Sequence, residues 1–376
     1  MRKATATTAF AIVGTLGLTA CGTSGAPGAD GEGLPSQMVW STYGTGTSTY
    51  ADAAAVANAI TTNQGTRIRI ITSDTAIGRL TPVRNGRAQM SRTGDDYIYA
   101  FEGDHDFATK EWGPQDVRVV WPAPLDTGLL VRDDSGIQNV EDLRGRRFPR
   151  TTANPSVNNK LEAYLAYGGL TWDDVQVVEM GYGEQPDALK AGKIDVLFHA
   201  VYGAALYELE SAFPVRWLSI DDDSVAKVEA IEDTAPSVEI GVFDEAPGQE
   251  KGETAVGLRY AVPVVAWAEA DQTLVYETVK AIHGNFDSYK DATANTPAWS
   301  LENIQTEPRQ VPFHPGLVRF LEENDAWSAE AEARNNELIK RGEALRAGWN
   351  GFIEDAGDGN VGKAWTAWKD KNVPAE

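Results

Sequence analysis

The sequence predicts an α/β protein of two βαβ lobes, joined by a two-strand hinge, with a ligand cleft between them. Three observations carry this expectation. A strand pattern at residues 38–43 runs into the loop Gly44 to Thr49, and a helical face follows at Ala53, Val56, Ala57 and Ile60, the i, i+3, i+4, i+7 spacing of one helix side. The same order then returns without a gap, with 38–43 set against 144–149, the loop 44–49 against 150–155, helix 50–60 against 156–166, and Gly86 against Gly192. Finally, two apolar segments, Val117 to Arg132 and Gly257 to Trp267, suit a chain that crosses between lobes and comes back.

Taken in order, the chain opens with Arg2 and Lys3, an apolar run from Ala9 to Ala20, and Leu18-Thr19-Ala20-Cys21. The run is too short to span a bilayer but fits a secretory signal, and its end resembles a bacterial lipobox. Residues 1–20 are therefore expected to be a lipoprotein signal peptide and Cys21 the lipidation site, carrying palmitate-type chains. The protein would be exported and anchored, facing the periplasm or the outer surface of the cytoplasmic membrane. Cys21 is the single cysteine of the chain, which leaves none for a disulfide. Residues 21–37, rich in Gly, Pro and Ser, read as a flexible tether.

In the first lobe, expected over 38–130 and 255–376, Thr49 and Asp52 have the spacing of a capping box. Residues 67–72 alternate as a strand, Ser73-Asp74-Thr75 offers caps, and a helix 76–84 containing Pro82 closes at Asn85-Gly86. A strand at 88–92, a polar loop 93–96 and a short aromatic helix 97–101 follow. The second lobe, expected over 131–254, repeats this with strands 144–149, 173–178 and 194–198. Helices at 272–286, 316–323 and 328–355 complete the chain. Trp327, Trp349, Trp365 and Trp368 in this tail are expected to pack structurally along the first lobe.

Composition excludes several functions. The net charge of −22 and the lack of a basic stripe argue against nucleic acid. The four histidines, at 105, 199, 283 and 314, form no HExxH, and there is no GxSxG. The loop Gly44-Thr45-Gly46-Thr47-Ser48 lacks the Lys-Ser/Thr of a phosphate loop. Asp221, Asp223 and Glu232 match three EF-hand positions, but Val225 and Ala226 fail two others, so no metal and no cofactor is expected. What remains is geometry: a small-residue loop before a helix start aims N–H groups and a dipole at one point, and such points bind anions. In open sheets of this kind ligands sit beyond the carboxyl ends of the strands.

Several stretches together resemble the TAXI family of extracytoplasmic solute receptors of TRAP transporters. They are the opening loop followed by Tyr50, Val131 to Phe148 (VRDDSGIQNVEDLRGRRF), Asp187 to Asp195 (DALKAGKID) and His314-Pro315-Gly316. The sequence departs from the family at Ser73-Asp74, at Gly94-Asp95 and across the glycine-free Arg150 to Asn158. The resemblance implies a type II periplasmic binding protein fold and delivery of a small solute to a TRAP permease. It also implies a carboxylate ligand, either a glutamate-like amino acid or a C4 to C5 dicarboxylate. On that reading Thr45, Gly46, Thr47 and Ser48 hold the carboxylate, and Arg92 or Arg150 completes the clamp. Asp95 or Asp96 suits an amino group or serves as a solvated cap. Tyr50, Thr75, Asn154, Ser156, Asn158, Tyr182, His199 and Tyr202 line the cleft, and no residue is assigned a catalytic role. A solute-binding lipoprotein of an ABC importer is the alternative on the same fold. An extracellular enzyme dependent on His199 or Asp95 is a further one.

Overall fold

The computed structural model describes residues 33–356 and 360–373. The signal segment, Cys21 and most of the tether lie outside the described residues. The tether expected to reach Gln37 ends earlier, because Leu34 already packs on the first lobe's core and the Ser36 carbonyl accepts from Arg67 N–H at 2.9 Å.

Lobe 1 begins with β1 (Gln37–Thr42), α1 (Ser48–Gln64), β2 (Arg67–Thr72), α2 (Ala76–Arg84), β3 (Met90–Arg92) and α3 (Asp96–Glu102). Its sheet is completed by β4 (Val117–Trp121). The chain then enters lobe 2 with β5 (Pro124–Arg132), β6 (Arg147–Thr151), α4 (Pro155–Tyr167), β7 (Gln176–Met180), α5 (Gln185–Lys190) and β8 (Val196–Ala200). It continues through α6 (Ala204–Ala212), β9 (Val215–Leu218), α7 (Val225–Thr234), β10 (Glu239–Asp244) and β11 (Thr254–Ala261). The return strand β12 (Val264–Trp267) rejoins lobe 1, followed by α8 (Gln272–Gly284), α9 (Phe286–Tyr289), α10 (Pro315–Glu323), α11 (Ala329–Asp355) and α12 (Val361–Asn372).

The lobe 1 sheet runs β2-β1-β3-β12-β4, with β1 parallel to β2 and β3, and β12 antiparallel to its neighbours. Lobe 2 holds a sheet β10-β11-β5-β8, with β9 also on β5, and the parallel pair β6-β7. Asp195 ties β6 to the start of β8, its N–H donating to Arg147 O at 3.0 Å and its carboxylate accepting from Arg147 N–H at 2.8 Å. Each passage between the sheets is two residues long and holds one proline: Pro122-Ala123 outward and Val262-Pro263 back. Val262 N–H donates to Ala123 O at 3.0 Å, so the passages run side by side. Proline supplies no N–H, so neither passage can extend its ladder into the other lobe.

Two expectations shift when the second copy folds. Its first strand starts at Arg147 instead of 144, because Asn139 caps a 3-10 turn over Val140–Leu143 and Gly145 then takes φ 74, a conformation no strand holds. Its second starts at Gln176 instead of 173, because Thr171 and Asp174 form a capping box over Trp172–Asp174. α1 likewise starts at Ser48 with Thr47 as N-cap, its hydroxyl accepting from Tyr50 N–H at 3.2 Å, so Thr49 and Asp52 are not a capping box. Among the described residues no helix is long and apolar enough to cross a membrane.

The tail closes over α3. Trp365 is fully buried, edge-on to Trp349 at 4.8 Å and stacked on Trp368 at 4.9 Å. Its indole N–H donates to Glu102 O at 2.8 Å, and Arg341 and Lys369 pair with the Glu102 carboxylate at 2.7 and 3.0 Å.

Candidate functional site

Each parallel strand of lobe 1 ends in a loop facing lobe 2, and these ends share a buried network. Tyr43, directly after β1, is buried, and its hydroxyl accepts from Gly94 N–H at 3.1 Å. Burial pushes that hydroxyl up to about 12, so it stays protonated. The Arg79 guanidinium lies over the Tyr43 ring at 3.8 Å and pairs with Asp96. Thr93 sits between them, taking a bond from Arg79 Nε at 3.2 Å and giving one to Asp96 at 2.8 Å. A second fully buried pair joins Arg92 to Asp52 at 2.8 Å, with Arg92 also donating to Thr49 O at 3.0 Å and lying over Trp299.

From lobe 2, Asn154 caps α4 by accepting from Val157 N–H at 3.2 Å, and reaches across to Asp74 O at 3.4 Å. Ala153, at φ 48, turns its carbonyl toward lobe 1, where Ala76 N–H donates to it at 3.1 Å. Ser156 and Lys160 are one helical turn apart on α4 and so share a face. Ser156 Oγ accepts from Asp95 N–H at 2.9 Å, and Lys160 forms an ion pair with the Asp95 carboxylate. Ser237, from the segment before β10, bridges the pair: Lys160 donates to its Oγ at 3.2 Å, and it donates to Asp95 Oδ2 at 2.5 Å. The Tyr260 ring lies 4.4 Å from Lys160 Nζ. Burial pulls the Lys160 ammonium well below its ordinary pKa, so its charge depends on facing an acid.

The structure therefore brings together Asp95, Asn154 and Ser156 of the expected residues, with Thr75 beside them as the N-cap of α2. Thr47 and Ser48 are buried at the start of α1, but Thr45 and Gly46 are exposed, and Tyr50 is half-buried. Arg92 pairs with Asp52 through Nη1, which leaves Nη2 without a partner, and Asp96 pairs with Arg79, because each acid lies within reach of a guanidinium from another element. Asp96 is thus neither an amine site nor a solvated cap. Arg150 is exposed and lies 5.5 Å from Trp172, in a polar groove of about 420 Å³ that His105 and Asp106 close from lobe 1. Asn158 uses its whole amide on Thr151, accepting from its N–H and donating to its O, both at 2.8 Å. Tyr202 turns away to donate to Asp244 O at 2.9 Å.

Tyr43, Arg79, Lys160, Ser237 and Tyr260 are the members that sequence reading missed. Only Lys160 carried a signal, the four-residue spacing from Ser156 on a helix starting at the cleft.

His199 lies within β8, not after it. It is buried, stacked on Tyr182 at 4.8 Å, with Nδ1 3.1 Å from Ala200 O. Burial lowers its pKa from 6.5 to about 4. An unfolded chain then binds the proton that the folded one refuses, so stability is intact above pH 6.5 and falls as pH drops toward 4. The loss from this residue is on the order of 3 kcal/mol. Urea midpoints measured from pH 7 to 4.5 should fall less steeply for His199→Gln than for the parent. An unchanged slope would refute the assignment.

Fold and cleft define a two-lobed α/β protein. A model of the NMT1-like family matches residues 41–324, and the chain belongs to that family. Among solved structures, the ligand-binding component of an ABC-type import system from Staphylococcus aureus is 11% identical, with 77% of this chain and 92% of that chain covered and a TM-score of 0.46. A protein from Bordetella bronchiseptica RB50 is 16% identical over 81% of this chain and 98% of that one, TM-score 0.44. The periplasmic aliphatic sulphonate binding protein SsuA from Escherichia coli is 16% identical over 80% and 97%, TM-score 0.40.

Proposed function

We propose that the protein is the extracytoplasmic solute-binding component of a membrane importer, closing its lobes over a small carboxylate; it is not an enzyme. One observation carries this reading: buried polar atoms without a partner collect at the carboxyl ends of β1 and β3, where the lobes meet. They are Ser48 Oγ, Ser91 Oγ, Arg92 Nη2, Asp95 Oδ1 and Asp96 Oδ1. Buried polar groups left unpaired are costly, and a ligand that pairs them is favoured. Ser48 and Arg92 are donors beside the start of a 17-residue helix, whose first N–H groups have no partner within it. Donors of that kind suit a carboxylate.

The membrane partner is an importer permease. Membership of the NMT1-like family does not carry the TAXI assignment, so an ABC importer stands ahead of a TRAP permease as partner. The flanking genes separate the two: an ATPase with a phosphate-binding loop, or a multi-span TRAP subunit. Export and lipid attachment at Cys21 belong to the same proposal.

Calorimetry on the chain from residue 22 onward, against glutamate, succinate, 2-oxoglutarate, an alkanesulfonate and simple cations, tests the ligand class. Stabilisation by at least one carboxylate is expected. Binding of the sulfonate or a cation, with every carboxylate silent, would overturn it. Gly94→Ala tests closure, since a Cβ there would sit 2.5 Å from Ser156 Oγ and 2.8 Å from the Tyr43 hydroxyl. Held apart, the lobes should lose about tenfold or more in affinity, each factor of ten being about 1.4 kcal/mol. Scattering should report a larger radius of gyration.

A further inference from the structure

A cavity of about 550 Å³ opens on lobe 1 between α10, α11 and the start of α8. Arg118, near the start of β4, lines it, and the strand runs on for four residues before Pro122, roughly 13 Å at 3.3 Å per residue. The cavity therefore lies at the end of the sheet away from lobe 2. We propose that it is a second binding site, for a carboxylic acid that carries one acid group on an apolar body. The site is separate from the cleft and goes beyond the solute-binding reading.

Two polar side chains form its floor. Arg118 of β4 and Asn335 of α11 keep only 6% and 5% of their surface exposed, and both line the cavity. Phe313 brings them together: it bridges to Val119, next to Arg118, and its N–H donates to Asn335 Oδ1 at 2.7 Å. That bond fixes the Asn335 amide and leaves its Nδ2 without a partner among the described residues. Arg118 uses Nη1 on Val117 O at 3.1 Å and on Asp116, and its Nε and Nη2 have no hydrogen-bond partner among the described residues. The free groups of both side chains are donors, and unpaired donors favour a ligand that brings acceptors. Charge then selects an anion. Asp116 serves both Arg118 and Arg346, and Arg346 Nη1 is itself buried without a partner, so two guanidiniums share one carboxylate. Burial, with Arg346 nearby, lowers the Arg118 pKa from its ordinary value, and an added carboxylate relieves both effects. One excess positive charge calls for one acid group. Glu322, Glu332 and Glu343 are exposed, where solvent and salt screen them, and Glu332 already accepts from Trp327 Nε1–H at 3.0 Å and Asn336 Nδ2–H at 2.8 Å. The walls are apolar, made by Ala268, Phe313, Pro315, Val318 and Ile339, and they suit a hydrocarbon or aromatic body in a space of ligand size.

Calorimetry on the unmodified chain, comparing octanoate and phenylacetate with the alcohol and the amine of each carbon frame, tests this. At least one acid should bind one to one, about tenfold or more tighter than its alcohol, the worth of a charge-assisted hydrogen bond, with its amine silent. Arg118→Gln should lose about tenfold or more for the acid and little for the alcohol. Ile339→Trp, at a half-buried wall position, removes no polar group and fills the space, so it should abolish binding of the acid. Gly94→Ala, in the cleft, should leave that binding unchanged. Melting curves establish that each variant is folded, and if Arg118→Gln is not, Ile339→Trp and the comparison of head groups decide. Silence from both acids overturns the inference. So does an amine that binds as well as its acid, or acid binding that Gly94→Ala weakens and Ile339→Trp spares. Each of these outcomes leaves the solute-binding reading of the cleft standing.

Discussion

Arg79→Met should destabilise the protein by about 3–5 kcal/mol, the cost of removing one partner from a buried ion pair. The guanidinium is fully buried and serves four neighbours at once. It pairs with Asp96, donates to Thr93 Oγ1 at 3.2 Å and to Ser73 O at 3.0 Å, and stacks on Tyr43 at 3.8 Å. Methionine fills much of the volume but leaves the Asp96 carboxylate without a countercharge, and one of its oxygens already lacks a hydrogen bond. Adding Asp96→Asn removes the orphaned charge, so the double variant should recover a large part of the loss. Urea denaturation of both variants and the parent measures this directly. If the single variant lies within about 1 kcal/mol of the parent, the pair does not hold the loop between β3 and α3.

Trp365→Ala should cost about 3–5 kcal/mol, as expected for truncating a fully buried tryptophan. The ring touches Trp349 and Trp368, packs against Phe352 at 5.1 Å, and donates to Glu102 O, so the lost transfer energy is joined by a cavity and an unpaired carbonyl. Trp365→Phe keeps most of the apolar contact and should lose less, about 1–3 kcal/mol, dominated by the missing indole N–H. Thermal melting of the two variants gives the order. A tail that merely lies on the surface would make them equal.

How much of this was legible in the sequence depended on whether the signal was local. The helix expected at 328–355 is found at Ala329–Asp355, because Ser328 caps it and Leu338, Leu345 and Trp349 keep one face buried. The repeat of strand, loop and helix was visible for the same reason: period and small-residue loops are written in neighbouring residues. Strand starts in the second copy slipped because Gly145 and Thr171 decide them through turn geometry, which hydrophobic alternation does not register. The site was harder. Asp95 and Ser156 could be placed because each follows a strand end, but the pairing of Asp96 with Arg79 and of Arg92 with Asp52 is set by contacts across elements. Ser237 and Tyr260 reach the cleft from the segment before β10 and from β11, far along the chain, and no spacing in the sequence announces them.

One feature of α3 reaches beyond stability. Its first turn carries the loop that meets lobe 2, and its last residue, Glu102, accepts the indole N–H of Trp365, roughly 10 Å away along the helix at 1.5 Å per residue. Trp365 therefore fastens the far end of the cleft-bearing helix to the C-terminal tail, so that the tail, remote in sequence, anchors the element on which the Asp95 loop stands.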